Sequence, residues 1–167
     1  DHYYYDDYEN ERSISDIAER SYMPALDTIE QMIKDSDGYF KVAFSISGVG
    51  LEQLELHAPQ VIEKLQALAK TGCVEFLAEP YPHGLSSLKD LEGFAQNVNK
   101  QCEQTQQYFG QHPTVLRNSS LMYSDDIGVQ AAQMGFKGMI TEGAKHILGW
   151  KSPHCVYNCA LGRKLKL

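Results

Sequence analysis

The sequence predicts an α/β fold with parallel strands, and three observations carry that prediction. Four short β-prone runs, "YFKVAFSIS" (39–47), "CVEFLAE" (73–79), "TVLRNS" (114–119) and "KGMITE" (137–142), are separated by amphipathic stretches of helical period. Strands that alternate with helices pair in parallel through crossover connections. Polar residues also gather where the β-prone runs end, which in open and closed α/β sheets is where ligands are held.

Each element has its own signal. Ser13 to Lys34 reads as helical, with an interruption at Pro24 that is tolerated if this proline opens a second helix. After the first β-prone run, Leu51, Leu54, Ala58, Val61, Leu65 and Leu68 form one stripe, which predicts a single helix closed by Gly72. Leu91, Phe94, Ala95, Val98, Cys102 and Phe109 form the next stripe, closed by Gly110. Ser124 is a good N-cap, with Asp125 and Asp126 in a first turn that favours negative charge, and Gly135 ends that helix. The tail "KLKL" alternates as a strand does. About four βα units result, whereas a (β/α) barrel needs about eight, or about seven in reduced versions. Residues 1–167 therefore read as the central portion of one larger barrel domain, its N-terminal and C-terminal portions missing. A small open α/β sheet, complete in itself, is the alternative.

Composition narrows the function. A chain of 167 residues can bury one sizeable core. The net charge of −7, with no basic run beyond "GRKLKL", excludes binding along a phosphate backbone and so a nucleic-acid partner. No apolar run approaches the ~20 residues of a membrane span. The start, "DHYYYDDYENER", is acidic and aromatic, unlike a signal peptide. Cys73, Cys102, Cys155 and Cys159 are scattered; Cys155 and Cys159 beside His154 lack the second ligand pair that zinc needs. An Asp-Asp plus H-x3-H ligand set is missing too, which disfavours metal-dependent deacetylase chemistry. The expectation is a cytoplasmic protein with reduced thiols, without metal or other cofactor.

The candidate site residues lie near strand ends. Glu75, Leu77 and Glu79 share one face of their strand. A carboxylate within an apolar run is costly to bury unless paired, so Glu75 faces a wet interior or is held in an ion pair. Glu75 and Glu79 are ~13 Å apart along a strand. They cannot be the pair of a retaining glycosidase, whose carboxyl groups lie about 5–5.5 Å apart. In "PYPHGLSSL", His83 can move a proton or bind a hydroxyl, or is a plain surface histidine. The loop "TEGAKHILGW" carries Glu142, His146 and Trp150, and a tryptophan beside carboxylates either stacks on sugar faces or joins the core. On "TVLRNSS", Leu116, Asn118 and Ser120 share one face while Arg117 and Ser119 take the other. Ser120 lacks the G-x-S-x-G elbow of a serine hydrolase.

The stretches "FKVAFSISGVGLEQLELHAPQV", "TGCVEFLAEPYPHGLSSL", "VLRNSSLMYSDDIG" and "MGFKGMITEGAKHILGWKSP" closely resemble family 57 glycoside hydrolases of the α-amylase type. The resemblance runs over essentially the whole chain. It implies an incomplete (β/α)7 barrel and retaining cleavage or transfer of α-1,4-glucan chains without a metal in the chemical step. It places Glu75 near substrate in the second signature, "GCVEFLAE", with Glu79 and His83 in its amylase-type extension. Pro80 stands there for a usual threonine and Gly84 for a usual serine. The third signature reads Arg-Asn-Thr-Glu-Leu in active members; here the nucleophile position is Ser120, behind Arg117 and Asn118. Tyr123, Glu142 and Trp150 complete the expected sugar surroundings. The family's opening His-Gln-Pro strand and its acid/base aspartate fall outside these residues.

Retaining hydrolysis needs a carboxylate to form the glycosyl ester and to stabilise oxocarbenium charge. A neutral serine hydroxyl supplies neither the charge nor an adequate leaving group. The chain is thus expected to be catalytically degenerate and to bind α-glucan or maltooligosaccharide at most. The alternatives are an active glucan enzyme using Glu142 or Glu79, and a non-catalytic partner of a true amylase.

Overall fold

The computed structural model describes residues 6–161 and 164–167; Asp1–Tyr5 of the Tyr-rich start, and Gly162 and Arg163 of the basic tail, lie outside them. Helix α1 (Asp7–Ile17) begins earlier than its apolar stripe suggests, because Asp6 accepts a hydrogen bond from Glu9 N and caps it. It runs through a π-helical segment, Ala18–Tyr22, into α2 (Met23–Asp35). The expected interruption at Pro24 is thus a widened turn. Met23 N donates to Ala18 O across five residues, and Pro24 falls in the first turn of α2, where a missing N–H costs least.

The four β-prone runs form β1 (Val42–Ser45), β2 (Val74–Leu77), β3 (Val115–Arg117) and β4 (Gly138–Ile140). β1 pairs with β2 and β3 with β4, both in parallel. A parallel bridge between Ala78 and Leu116 joins the pairs: Ala78 N donates to Val115 O at 2.9 Å, and Arg117 N to Ala78 O at 2.8 Å. The order is therefore β1-β2-β3-β4. The "KLKL" tail adds one more parallel bridge, Lys166 to Gly138, and buries Leu165 completely. Among the described residues β1 has no strand on its outer side.

Between strands lie α3 (Gly48–His57), α4 (Pro59–Ala69), α5 (Leu91–Phe109) and α6 (Asp125–Gln133), with a short α7 (Lys145–Leu148) after β4. The single helix expected over 51–72 is two. Pro59 opens α4, and Ala58, at φ −150° and ψ 57°, breaks the backbone although the apolar stripe continues. Gly110 takes the left-handed C-cap and Ser124 caps α6 through Ile127 N, both as expected. No helix among the described residues is long and apolar enough to cross a membrane.

Two cores flank the join. Ile14, Leu26, Leu51, Val61, Leu65 and Phe76 lead the first, with Phe76 stacked on Phe109 at 3.9 Å between ring centroids. Phe94, Val98, Leu116, Ile127, Met139 and Leu165 lead the second. Phe76 and Leu116 thus point to the helices. By strand alternation Ala43, Ser45, Glu75, Leu77 and Glu79 share the opposite face of β1 and β2, with Arg117 on that face of β3. The candidate site is built on this face.

Candidate functional site

Glu79 follows the last residues of β2 and is 5% exposed, the most enclosed carboxylate among the described residues. Its Oε2 accepts a hydrogen bond from Ser45 Oγ of β1, and Arg117 Nη1 of β3 stands 3.5 Å away. Its backbone N–H donates to Gln101 Oε1 of α5 at 3.3 Å. Three elements thus converge on one acid. Burying it without partners would be costly, and the hydroxyl and guanidinium offset that cost. Gln101, itself 1% exposed, also donates to Ile46 O and Leu77 O, so it ties α5 to the ends of β1 and β2.

Glu79, Arg117, Ser45 and Ser47 form the polar end of a cavity of about 500 Å³. Its remaining wall is apolar, from Phe44, Leu54, Leu26 and their neighbours, and runs along the outer side of β1. Neither Ser45 nor Gln101 was among the residues singled out from sequence. Gln101 had a signal, because it falls on the buried stripe of Phe94, Val98, Cys102 and Thr105, where an amide must find internal partners.

The turn after β3 is held by Asn118, which is fully buried. Its Nδ2 donates to Ser87 Oγ and to Met122 O, both at 3.0 Å, and its Oδ1 accepts from Ser119 N at 2.8 Å. Ser119 Oγ accepts from Gly84 N, so the loop after β2 is stitched to the turn after β3. Across this support Ser120 (φ 52°, ψ 23°) and Leu121 (φ 56°) both take left-handed backbone, which side-chain-bearing residues adopt at a cost. Ser120 is exposed. Asn118, one of the residues expected near sugar, is buried with its amide hydrogen-bonded inside the protein.

The other expected site residues are spread out. Glu75 lies on the Glu79 face but is exposed, and lines a separate opening of about 380 Å³ with Lys41, Ala43 and Cys73. His83 is exposed in its loop. Tyr81, two residues before it, is buried: its hydroxyl donates to Glu52, its ring fills the space beside Gly48, and Lys100 Nζ sits 3.5 Å over the ring. Burial and Glu52 push its hydroxyl up to about 12. Tyr123 packs against the second core and donates to Asp125 Oδ1 at 3.0 Å; burial, with Cys159 and Asp125 beside it, raises its pKa. Tyr123 and Glu142 line a cavity of about 490 Å³ that does not include Glu79. Glu142 N donates to Leu121 O, linking that cavity to the Ser120 turn. Trp150 is 94% exposed beside Gly143 and Lys151, remote in contact from the Glu79–Arg117 pair. The structure therefore brings Glu79 and Arg117 together and leaves Glu75, His83, Ser120, Glu142 and Trp150 solvent-facing. Among the described residues no three His, Cys, Asp or Glu side chains cluster as metal ligands.

The model of glycosyl hydrolase family 57 matches residues 1–167. The chain belongs to glycosyl hydrolase family 57. A protein of Methanocaldococcus jannaschii named "Putative alpha-amylase" is 36% identical over 159 residues, covering 95% of this chain and 34% of that protein. The chain thus spans about a third of the length of this relative. Among solved structures, the 4-alpha-glucanotransferase from Thermococcus litoralis superposes with a TM-score of 0.68 at 16% identity, over 77% of this chain and 19% of that one. A "putative polysaccharide deacetylase" from Mycobacterium smegmatis superposes with a TM-score of 0.57 at 17% identity, over 76% and 40%. Both likenesses speak to fold alone.

Proposed function

We propose that this family 57 chain carries part of an α-1,4-glucan site of the α-amylase type, built on an incomplete seven-stranded barrel. In this reading it binds α-glucan or maltooligosaccharide and does not hydrolyse it at a normal rate. One observation supports the reading: the turn after β3, where the resemblance puts the nucleophile position at Ser120, is built in full by Asn118, Ser119 and Ser87. A neutral hydroxyl there cannot offset the positive charge of an oxocarbenium-like transition state, and an acetal between Ser120 Oγ and C1 lacks the carboxylate leaving group that lets water release a glycosyl ester. Arg117 and Glu79 supply charged hydrogen-bonding groups of the kind that hold sugar hydroxyls.

Ser120→Glu in the full-length protein, assayed on a chromogenic maltooligosaccharide, tests this directly. The expected outcome is a rise of at least about 100-fold in turnover, since removing a nucleophile ordinarily costs several orders of magnitude. Wild-type turnover equal to that of active relatives overturns the degenerate reading. Calorimetry with a maltooligosaccharide tests binding separately, and no heat at millimolar ligand overturns it. A second reading, hydrolysis through another carboxylate, is favoured by the burial of Glu79 beside Arg117. It requires that Glu79→Gln or Glu142→Gln abolish an activity that wild type already possesses.

A further inference from the structure

We propose that Lys41 and Cys73 form an oxidation-made covalent cross-link between the amino-terminal ends of β1 and β2. This site is independent of the glucan reading. Lys41 immediately precedes β1 and Cys73 immediately precedes β2, so they flank the first registered pair, Val42 with Val74. Val42 N donates to Cys73 O at 3.0 Å, which fixes the two backbones as parallel neighbours at this point. Laterally adjacent residues of parallel strands project their side chains to the same face. The proximity of the side chains is thus imposed by the ladder. Lys41 Nζ lies 3.4 Å from Cys73 Sγ and 3.3 Å from Gly72 O.

The pair has two further properties that such chemistry requires. Both residues line the opening of about 380 Å³ on the Glu75 side, which gives a small oxidant a route to the thiol. Cys73 itself is 5% exposed, and its thiol rests against Gly38 O and Thr71 O. A sulfenic acid formed there is shielded from thiols in solution, while the Lys41 amine is already in place.

The chemistry balances with a peroxide as the named oxidant. In the first step the Cys73 sulfur attacks a peroxide oxygen; the O–O bond breaks, an S–O bond forms, and one water leaves with the thiol proton. In the second the Lys41 nitrogen, having released one proton to solvent, attacks that sulfur. An S–N bond forms and the S–O bond breaks; the hydroxyl leaves as water with a second nitrogen proton. Sulfur loses two electrons overall and the peroxide gains them. The product is a sulfenamide, which a thiol reductant returns to amine and thiol, in line with the reversibility of the sulfenic-acid level.

The full chain is treated with hydrogen peroxide at rising doses until Cys155, the exposed cysteine, is fully oxidised, and is then proteolysed for mass spectrometry. The expected product joins the Lys41 and Cys73 peptides at about 2 Da below their summed mass, and is lost on adding a thiol reductant. Lys41→Arg, at an exposed position, keeps the charge but lacks a nucleophilic amine, and is expected to abolish the linked pair while leaving Cys155 oxidation unchanged. Cys73→Ser provides the second arm and gives no link. The proposal is overturned if Cys73 stays reduced at full Cys155 oxidation, or if the same Cys73 product accumulates in wild type and Lys41→Arg. It is also overturned if Cys73 pairs with another cysteine in place of Lys41.

Discussion

The ends of β2 and β3 sit side by side and have been treated differently. At the end of β2 a carboxylate, Glu79, is buried and furnished with partners from three elements. At the end of β3 a serine, Ser120, is exposed on a left-handed turn whose supports are all internal. One end keeps a charge and encloses it; the other keeps its architecture and presents a hydroxyl. The difference teaches that backbone support and chemical groups can be separated within one site. Asn118 and Ser87 support the turn at position 120 through hydrogen bonds in which the Ser120 side chain takes no part.

Substitutions can break or sharpen that contrast. The largest effect is expected at the β3 end from Asn118→Ala. This removes three hydrogen bonds around a fully buried side chain and should lower stability by about 3 kcal/mol, measured by urea denaturation. A loss below about 1 kcal/mol would mean the turn holds its shape without Asn118. At the β2 end, Arg117→Met removes the cation facing Glu79. Because Arg117 is one-third exposed and 3.5 Å away, about 2 kcal/mol is expected, below the figure for a fully enclosed pair.

Ser120→Gly should act in the opposite direction. Relief of left-handed backbone on a residue with a Cβ is worth about 1 kcal/mol, seen as a raised midpoint. A fall in stability would show that the Ser120 side chain makes a contact that matters. The smallest effect lies away from both ends, at Glu30, which Lys64 and Lys34 hold down to about 2. Its folded value is below the unfolded one, so its contribution is complete above about pH 4.5 and is lost as pH falls toward about 2. Glu30 and Lys64 are only part-buried and Lys34 is exposed, so solvent screens the group and the slope should be slight; Lys64→Met should flatten it.

Much of this was legible from residue pattern, for local reasons. Alternation of β-prone runs with amphipathic stretches located all four strands, because both periods are set by backbone geometry. Each strand is shorter than its apolar run, since pairing stops where the chain turns toward the next helix. Pro59 is the cue for the break after α3, and the apolar stripe masks it by continuing across the break. Strand alternation correctly grouped Glu75 with Glu79, yet only Glu79 is enclosed. Its partners come from β1, β3 and α5, separated by up to 38 residues, and no local pattern predicts such a meeting. The contrast between Tyr123 and Trp150 was not legible either. Tyr123 packs beside Gly128, where a Cβ would crowd its ring, and Trp150, in the turn after α7, extends into solvent.

Among the described residues no strand pairs with the outer side of β1, and this has a practical consequence. Val42 to Ser45 present main-chain donors and acceptors on that side to whatever extended backbone approaches, and the apolar wall beside them favours its arrival. An edge of this kind can pair with a second extended strand, and light scattering at rising concentration of these 167 residues reads that self-association. Their working concentration is therefore a design variable of every measurement made on them.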